Sequence, residues 1–194
     1  MGEAMGTEND ARTLYLLRHA KSSWAQPQLD DHERSLNGRG RRAATLMAEH
    51  IASLPVRPEL ILCSSALRTR ETLAALIDAL GDGARHPRVE IERGLYLAQP
   101  EALLLRLREA PEDCAALLLI GHNPGMHQFA CALAGNRGGG GGALAAKLAR
   151  KFPTAALATF RVHGPWAELG RGSAVLADYT TPGELAPSEG GDDD

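Results

Sequence analysis

With 194 residues, 44% of them hydrophobic, the chain is long enough for one domain with a sizeable core and short for two. Its formal net charge of -3 excludes the basic excess of a general nucleic-acid binder, and no apolar run approaches the length that spans a bilayer. Residues 1–12 are polar and lack the apolar core of a signal peptide, and the three cysteines (Cys63, Cys114, Cys131) form no CxxC pair, so a reducing cytoplasm is expected.

Residues 1–11 read as a loose tail, 12–187 as a single domain, and 188–194 as a disordered acidic tail. Residues 14–17, four apolar side chains in a row, predict a buried strand that stops abruptly at Arg18-His19. A polar loop follows over 21–34. Asn37 is a good N-cap for a first helix, whose apolar positions Ala43, Leu46, Met47, His50, Ile51 and Leu54 share one face. Arg39, Arg41 and Arg42 read as its solvated face. Residues 60–63 predict a second strand, and Ser65 is the expected N-cap of a helix to Leu80, stopped by Gly81-Asp82-Gly83. A short strand over 89–92 precedes a helix opened by Pro100, with Leu103, Leu104 and Leu107 inward. Residues 115–120 are the most apolar strand and read as central. Gly121-His122-Asn123-Pro124-Gly125 follows, with Asn123 as N-cap and Pro124 as first residue of a helix.

Gly138 to Gly142 are five consecutive glycines, a flexible linker on composition; no Lys-Ser/Thr follows and no strand precedes, so this is not a phosphate loop. A short helix over 143–151 and two late strands, 156–162 and 173–177, paired like a hairpin, complete the chain. Strands alternating with helices predict an α/β fold: a mostly parallel central sheet with helices on both faces.

Three of these strands end alike. The first leads to Arg18-His19, the second to Ser64-Ser65 with Arg68 just beyond, and the central one to Gly121-His122. In a parallel sheet such ends share one edge, where ligands bind. Two arginines and two histidines make a poor core and a good phosphoryl site, because guanidinium offers fixed, permanently charged donors matched to phosphate oxygens. His122 just before a helix N-terminus adds to the preference for an anion. Zinc is the rival reading for His19 and His122, with His32 or His127 added. His122 and His127 stand five apart with Pro124 between them, which is not a ligand spacing.

The motifs Leu17-Arg18-His19-Ala20, Ser64-Ser65-Ala66-Leu67-Arg68-Thr69-Arg70-Glu71-Thr72 and Gly121-His122-Asn123-Pro124-Gly125 resemble those of the histidine phosphatase superfamily, with its three-layer, phosphoglycerate-mutase-like fold. Arg18-His19-Ala20-Lys21-Ser22-Ser23-Trp24 and Asp31-His32-Glu33-Arg34-Ser35-Leu36-Asn37 resemble the SixA-type phosphohistidine phosphatases in particular. The resemblance spans residues 12–185. It implies a phosphatase in which His19 attacks phosphorus and becomes phosphohistidine, while Arg18, Arg68 and His122 hold the phosphoryl oxygens, with Ser22 and Arg34 also against substrate. It implies no metal and no cofactor. Glu92, in Glu92-Arg93-Gly94-Leu95-Tyr96, matches the family's general acid, with Asp31 as runner-up. Arg70 points elsewhere on its helix; Lys21 could orient His19 or phosphate; Trp24 flanks the site or caps the core. The expected partner is a phosphorylated protein such as a phosphorelay domain, or a small phosphorylated metabolite, handled by a monomer without nucleic acid or membrane. A phosphate-binding regulatory module is the non-catalytic alternative.

Overall fold

A computed structural model describes residues 11–81, 86–135 and 142–186. The expected tails, apart from Ala11, and the glycine run, apart from Gly142, lie outside those residues. Six strands form one sheet in the order β3-β2-β4-β1-β5-β6: β1 (Arg12–Arg18), β2 (Leu60–Ser64), β3 (Arg88–Glu92), β4 (Ala116–Gly121), β5 (Leu157–Val162) and β6 (Ala174–Thr180). β1, β2, β3 and β4 pair in parallel, and β5 runs antiparallel to both β1 and β6. The sheet is therefore mixed but mostly parallel, and the two late strands do pair antiparallel.

The pleat assigns the apolar runs to two cores. Leu14 and Leu16 of β1, with Leu117 and Leu119 of β4, face α3 (Pro100–Arg108), α4 (Gly125–Ala134) and α5 (Gly142–Arg150) through Leu103, Leu107, Phe129, Leu133 and Leu148. Tyr15, Leu17, Leu118 and Ile120 face α1 (Gly38–Ser53) and α2 (Leu67–Leu80) through Met47, Ile51, Leu73 and Leu76. A strand buried on both faces reads as continuously apolar because neither side meets water, and β4 is buried at all six positions. Each leucine so buried contributes about 1.5–3 kcal/mol. Such a frame can hold buried cations at its edge despite their desolvation cost.

Asn37 caps α1 as expected: its Oδ1 accepts from the Gly40 backbone N–H at 2.8 Å. The buried face of α1 differs in part. Ala44 and Ala48 accompany Met47 and Ile51 inward, whereas Leu46 and His50 stay partly exposed. Two caps differ from the expected residues. Ala66, not Ser65, is the N-cap of α2, and Pro124, not Asn123, that of α4; neither cap uses a side chain. Both polar side chains are spent on tertiary bonds instead. Ser65 Oγ meets His32 Nε2 at 2.8 Å, and Asn123 Nδ2 donates to the Phe152 carbonyl at 2.9 Å. Gly125 opens α4 because a Cβ there would collide with the Ala98 carbonyl. A last short helix, α6 (Pro182–Leu185), is held by a Thr181–Glu184 capping box.

Candidate active site

Register brings the three strand ends together. β1 and β2 flank β4, pairing Arg18 with Gly121 and Cys63 with Ile120, so the residues leaving those strands emerge at one edge. His19 and His122 lie there with ring centroids 5.0 Å apart. Both are nearly out of solvent, at 8% and 2% exposure, and Arg68 is 3% exposed.

His19 Nδ1 sits 2.7 Å from the Ala20 carbonyl. A carbonyl only accepts, so Nδ1 carries the proton and Nε2 keeps its lone pair. Burial first, then the Arg68 and Arg18 guanidiniums, push His19 down to about 3. Burial, then His19 and Arg68, push His122 to about 3 as well. Both imidazoles are neutral at pH 7, so His19 has a free nucleophilic nitrogen. His122 Nε2 lies 2.7 Å from Ser64 Oγ. Ser64 can donate to Nε2, which puts the His122 proton on Nδ1; that buried nitrogen, like Arg18 Nε, has no hydrogen-bond partner among the described residues. Arg18 is aimed by its terminal nitrogen, which donates to the Phe152 carbonyl at 2.9 Å. Buried donors without acceptors are costly unless an anion serves them, and these flank a nucleophile. The arrangement can bind a phosphoryl group and attack it.

Asp31 organises the other wall. Its Oδ2 accepts from Arg68 at 2.9 Å and from the Tyr96 hydroxyl at 2.7 Å, and its Oδ1 accepts from Arg34 at 2.7 Å. Arg34 also donates to Ser22 Oγ at 2.8 Å. Burial raises the Asp31 carboxyl, but Tyr96, Arg34 and Arg68 outweigh it and hold the group below the ordinary carboxylate range. Tyr96 packs edge-on against both His122 and His32.

A family model for the histidine phosphatase superfamily (branch 1) matches residues 14–96. An uncharacterised protein of Mycobacterium tuberculosis is 36% identical over 168 residues, 86% of this chain and 99% of that one. A solved structure from Agrobacterium tumefaciens, provisionally named as the phosphohistidine phosphatase SixA, is 32% identical with a TM-score of 0.72, covering 88% of this chain and 98% of that one. The chain belongs to the histidine phosphatase superfamily. Within it the chain falls in the SixA-type branch, which a second provisionally named SixA, from Nakamurella multipartitia, also supports at 29% identity and TM-score 0.76, covering 89% and 96%. The protein histidine phosphatase SixA complexed with tungstate shares the fold, with a TM-score of 0.71 at 20% identity and coverage of 90% and 99%.

This histidine phosphatase is a hydrolase, and its edge gathers most of the residues the sequence singled out: Arg18, His19, Arg68 and His122, with Ser22 and Arg34 joined to them through Asp31. Glu92 is placed otherwise. Its carboxylate accepts from Arg106 Nε of α3 at 2.8 and 3.1 Å, so the expected acid is tied to an arginine rather than to the cluster. Glu92→Gln is therefore expected to leave kcat/KM for an aryl phosphate within about 3-fold, whereas loss of a working general acid costs on the order of 10²-fold. Asp31→Asn, which weakens three charge-assisted bonds, should lower it roughly 10-fold; steady-state kinetics of the two variants checks both.

Trp24 does not cap the core: it is 77% exposed, with Arg34 Cζ stacked 3.2 Å over its ring. Arg70 is exposed, as expected. Sequence reasoning missed Ser64 as the partner of His122, Tyr96 as a wall, and His32 in any role but zinc. Among the described residues no cluster of three or more His, Cys, Asp or Glu could hold a metal, and no helix is long and apolar enough to cross a membrane. The Ser64 signal was available, since the residue that ends a buried strand beside a site faces that site.

Proposed function

We propose that this phosphatase hydrolyses phosphohistidine carried on another protein, by way of a covalent phosphohistidine on its own His19. The lone pair of His19 Nε2 attacks phosphorus, and the bond to the leaving group breaks with its electron pair. Nδ1–H, held by the Ala20 carbonyl, steadies the charge that grows on the ring. Arg18, Arg68 and His122 bind the equatorial oxygens, where transition-state charge lies, so two guanidiniums and a neutral imidazole N–H of the chain serve that role. Water then attacks the phosphorus of the intermediate, and Nε2 leaves with its pair restored.

One observation carries the choice of substrate. Both carboxylates that could protonate a leaving group are bound by arginine: Glu92 by Arg106, and Asp31 by Arg34 and Arg68, which keep it ionised. An alkoxide leaving group wants such an acid. A phosphohistidine does not, because with its other ring nitrogen protonated it leaves as neutral imidazole. The likeness to structures bearing the SixA name supports the same reading. The three free cysteines suit a cytoplasmic setting.

The deciding experiment compares wild-type kcat/KM on a histidine-phosphorylated phosphotransfer domain with that on a panel of sugar and glycerate phosphates. We expect the phosphoprotein to win by about 100-fold, the scale of one general acid. An advantage for any metabolite overturns the reading in favour of a small-molecule phosphatase.

A further inference from the structure

The first turn of α1 carries charge that its own helix disfavours. Gly38-Arg39-Gly40-Arg41-Arg42 sets two guanidiniums in the first turn, at the positive end of the helix dipole, and a third just after it, with no acidic residue in that turn. All three arginines are exposed. Lys21, also exposed, is fixed beside them. Its carbonyl accepts from the Asn37 N–H at 3.0 Å and packs so closely on Gly40 that a Cβ there would collide with it. None of these four cations forms an ion pair among the described residues. The acids of the neighbouring loop are turned to other work: Asp31 lies between Arg34 and Arg68, Glu33 pairs with His32, and Asp30 accepts from the His32 N–H. In a chain of net charge -3, this concentration of unpaired positive charge is local.

Its position matters as much as its sign. Lys21 is two residues from His19, so the patch begins at the lip of the site. Trp24, 77% exposed, stands on the same lip with one face against Arg34. Between the 23–29 loop and α1 runs a groove of about 390 Å³, lined by Ser23, Leu29, Arg34, Asn37 and Arg41. Arg34 thus faces the groove on one side and bonds Asp31 and Ser22 on the other.

We infer that this rim is where the phosphorylated protein docks: an acidic surface of the partner lies on Lys21, Arg39, Arg41 and Arg42, and an apolar side chain beside its phosphohistidine rests on Trp24. The inference builds on the protein-substrate reading above. A small phosphorylated metabolite, confined to Arg18, His19, Arg68 and His122, would leave these outer cations unused. Cations outside the reacting centre act on encounter rate and orientation, and their effect falls with salt.

The test is the double charge reversal Arg39→Glu, Arg42→Glu. Both residues lie outside the catalytic cluster, and acids at a helix N-terminus favour the helix, so thermal unfolding should be unchanged or slightly raised. We expect kcat/KM on a histidine-phosphorylated phosphotransfer domain with an acidic surface to fall at least about 10-fold, mainly through KM, with aryl phosphate hydrolysis within about 2-fold. Wild-type activity on the phosphoprotein should drop between about 50 and 300 mM NaCl, and the variant should lose most of that dependence. If the phosphoprotein rate is unchanged, or falls only in step with the aryl phosphate rate, docking is overturned while the protein-substrate reading stands. If wild type prefers metabolites, both are overturned. Binding of anionic vesicles or RNA that the reversal abolishes, with the phosphoprotein rate untouched, assigns the patch to another partner and also overturns docking.

Discussion

His19→Ala should abolish turnover, lowering kcat/KM by at least about 10³-fold, the scale seen when an enzyme loses its nucleophile. The expectation follows from one nitrogen. The Ala20 carbonyl fixes the proton on Nδ1, burial keeps the ring neutral, and Nε2 is then the free base of the cluster. The other histidine cannot take over: His122 Nε2 is engaged by Ser64. The fold should survive the change, because the ring contributes little apolar packing and its desolvation is itself unfavourable. Rapid quench of wild type with a chromogenic aryl phosphate should trap an acid-labile, alkali-stable phosphate, and peptide mapping should assign it to His19. Full turnover with no such phosphate, or substantial activity in His19→Ala, would show that water attacks the substrate directly. A loss of activity on chelation would revive the metal reading set aside on His122 and His127.

Stability should fall steeply in mild acid, starting near pH 6.5. In the unfolded chain His19 and His122 bind a proton near their ordinary 6.5; in the folded chain both are held down to about 3. Between those values the unfolded state binds more protons, so stability rises with pH across the window and is lost as pH falls through it. Each imidazole then withdraws about 1.4 kcal/mol per pH unit. Over two units the pair removes roughly 5 kcal/mol, a large share of the 5–15 kcal/mol typical of a domain. Asp31 acts in the same direction at lower pH, since its carboxyl is also held below its ordinary value. Urea unfolding at pH 7, 5.5 and 4.5 measures the slope, and His19→Ala should flatten it by about half. Stability flat from pH 7 to 4.5, or the assigned His19 and His122 imidazoles titrating near 6.5 by NMR, contradicts the buried neutral pair. Catalysis has the same sign: His19 must be neutral to attack, so the enzyme's own acid limb lies far below 6.5.

The two expectations rest on features of different legibility. Arg18-His19 and Gly121-His122 could be read because each closes an apolar run; chain order alone makes such a run a strand and places the polar residues at its end. Arg68 came with them, in the first turn of the helix that follows β2. The central position of β4 was legible for the same reason, since burial on both faces removes every polar side chain from its interior. Two of the three polar N-caps, unlike Asn37, were not legible, because each residue had two possible uses. Ser65 and Asn123 are good local caps, but each found a distant partner, His32 and the Phe152 carbonyl, which no local pattern announces.

The surroundings of the candidate acid were less legible still. Glu92 lies at the end of a strand, as a site residue should, and only the packing of α3 against β3 brings Arg106 onto its carboxylate. Asp31 sits in a polar loop with no periodicity, and its meaning depends on Arg68, 37 residues away, and Tyr96, 65 residues away. The sequence by itself determined which side chains stand at the sheet edge, because strand pattern is local and period two. The tertiary structure decided what those side chains can do. Protonation is set by burial and by charges brought near from remote parts of the chain, so a histidine becomes a buried neutral imidazole and a candidate acid becomes an arginine's counter-ion only once the layers have closed.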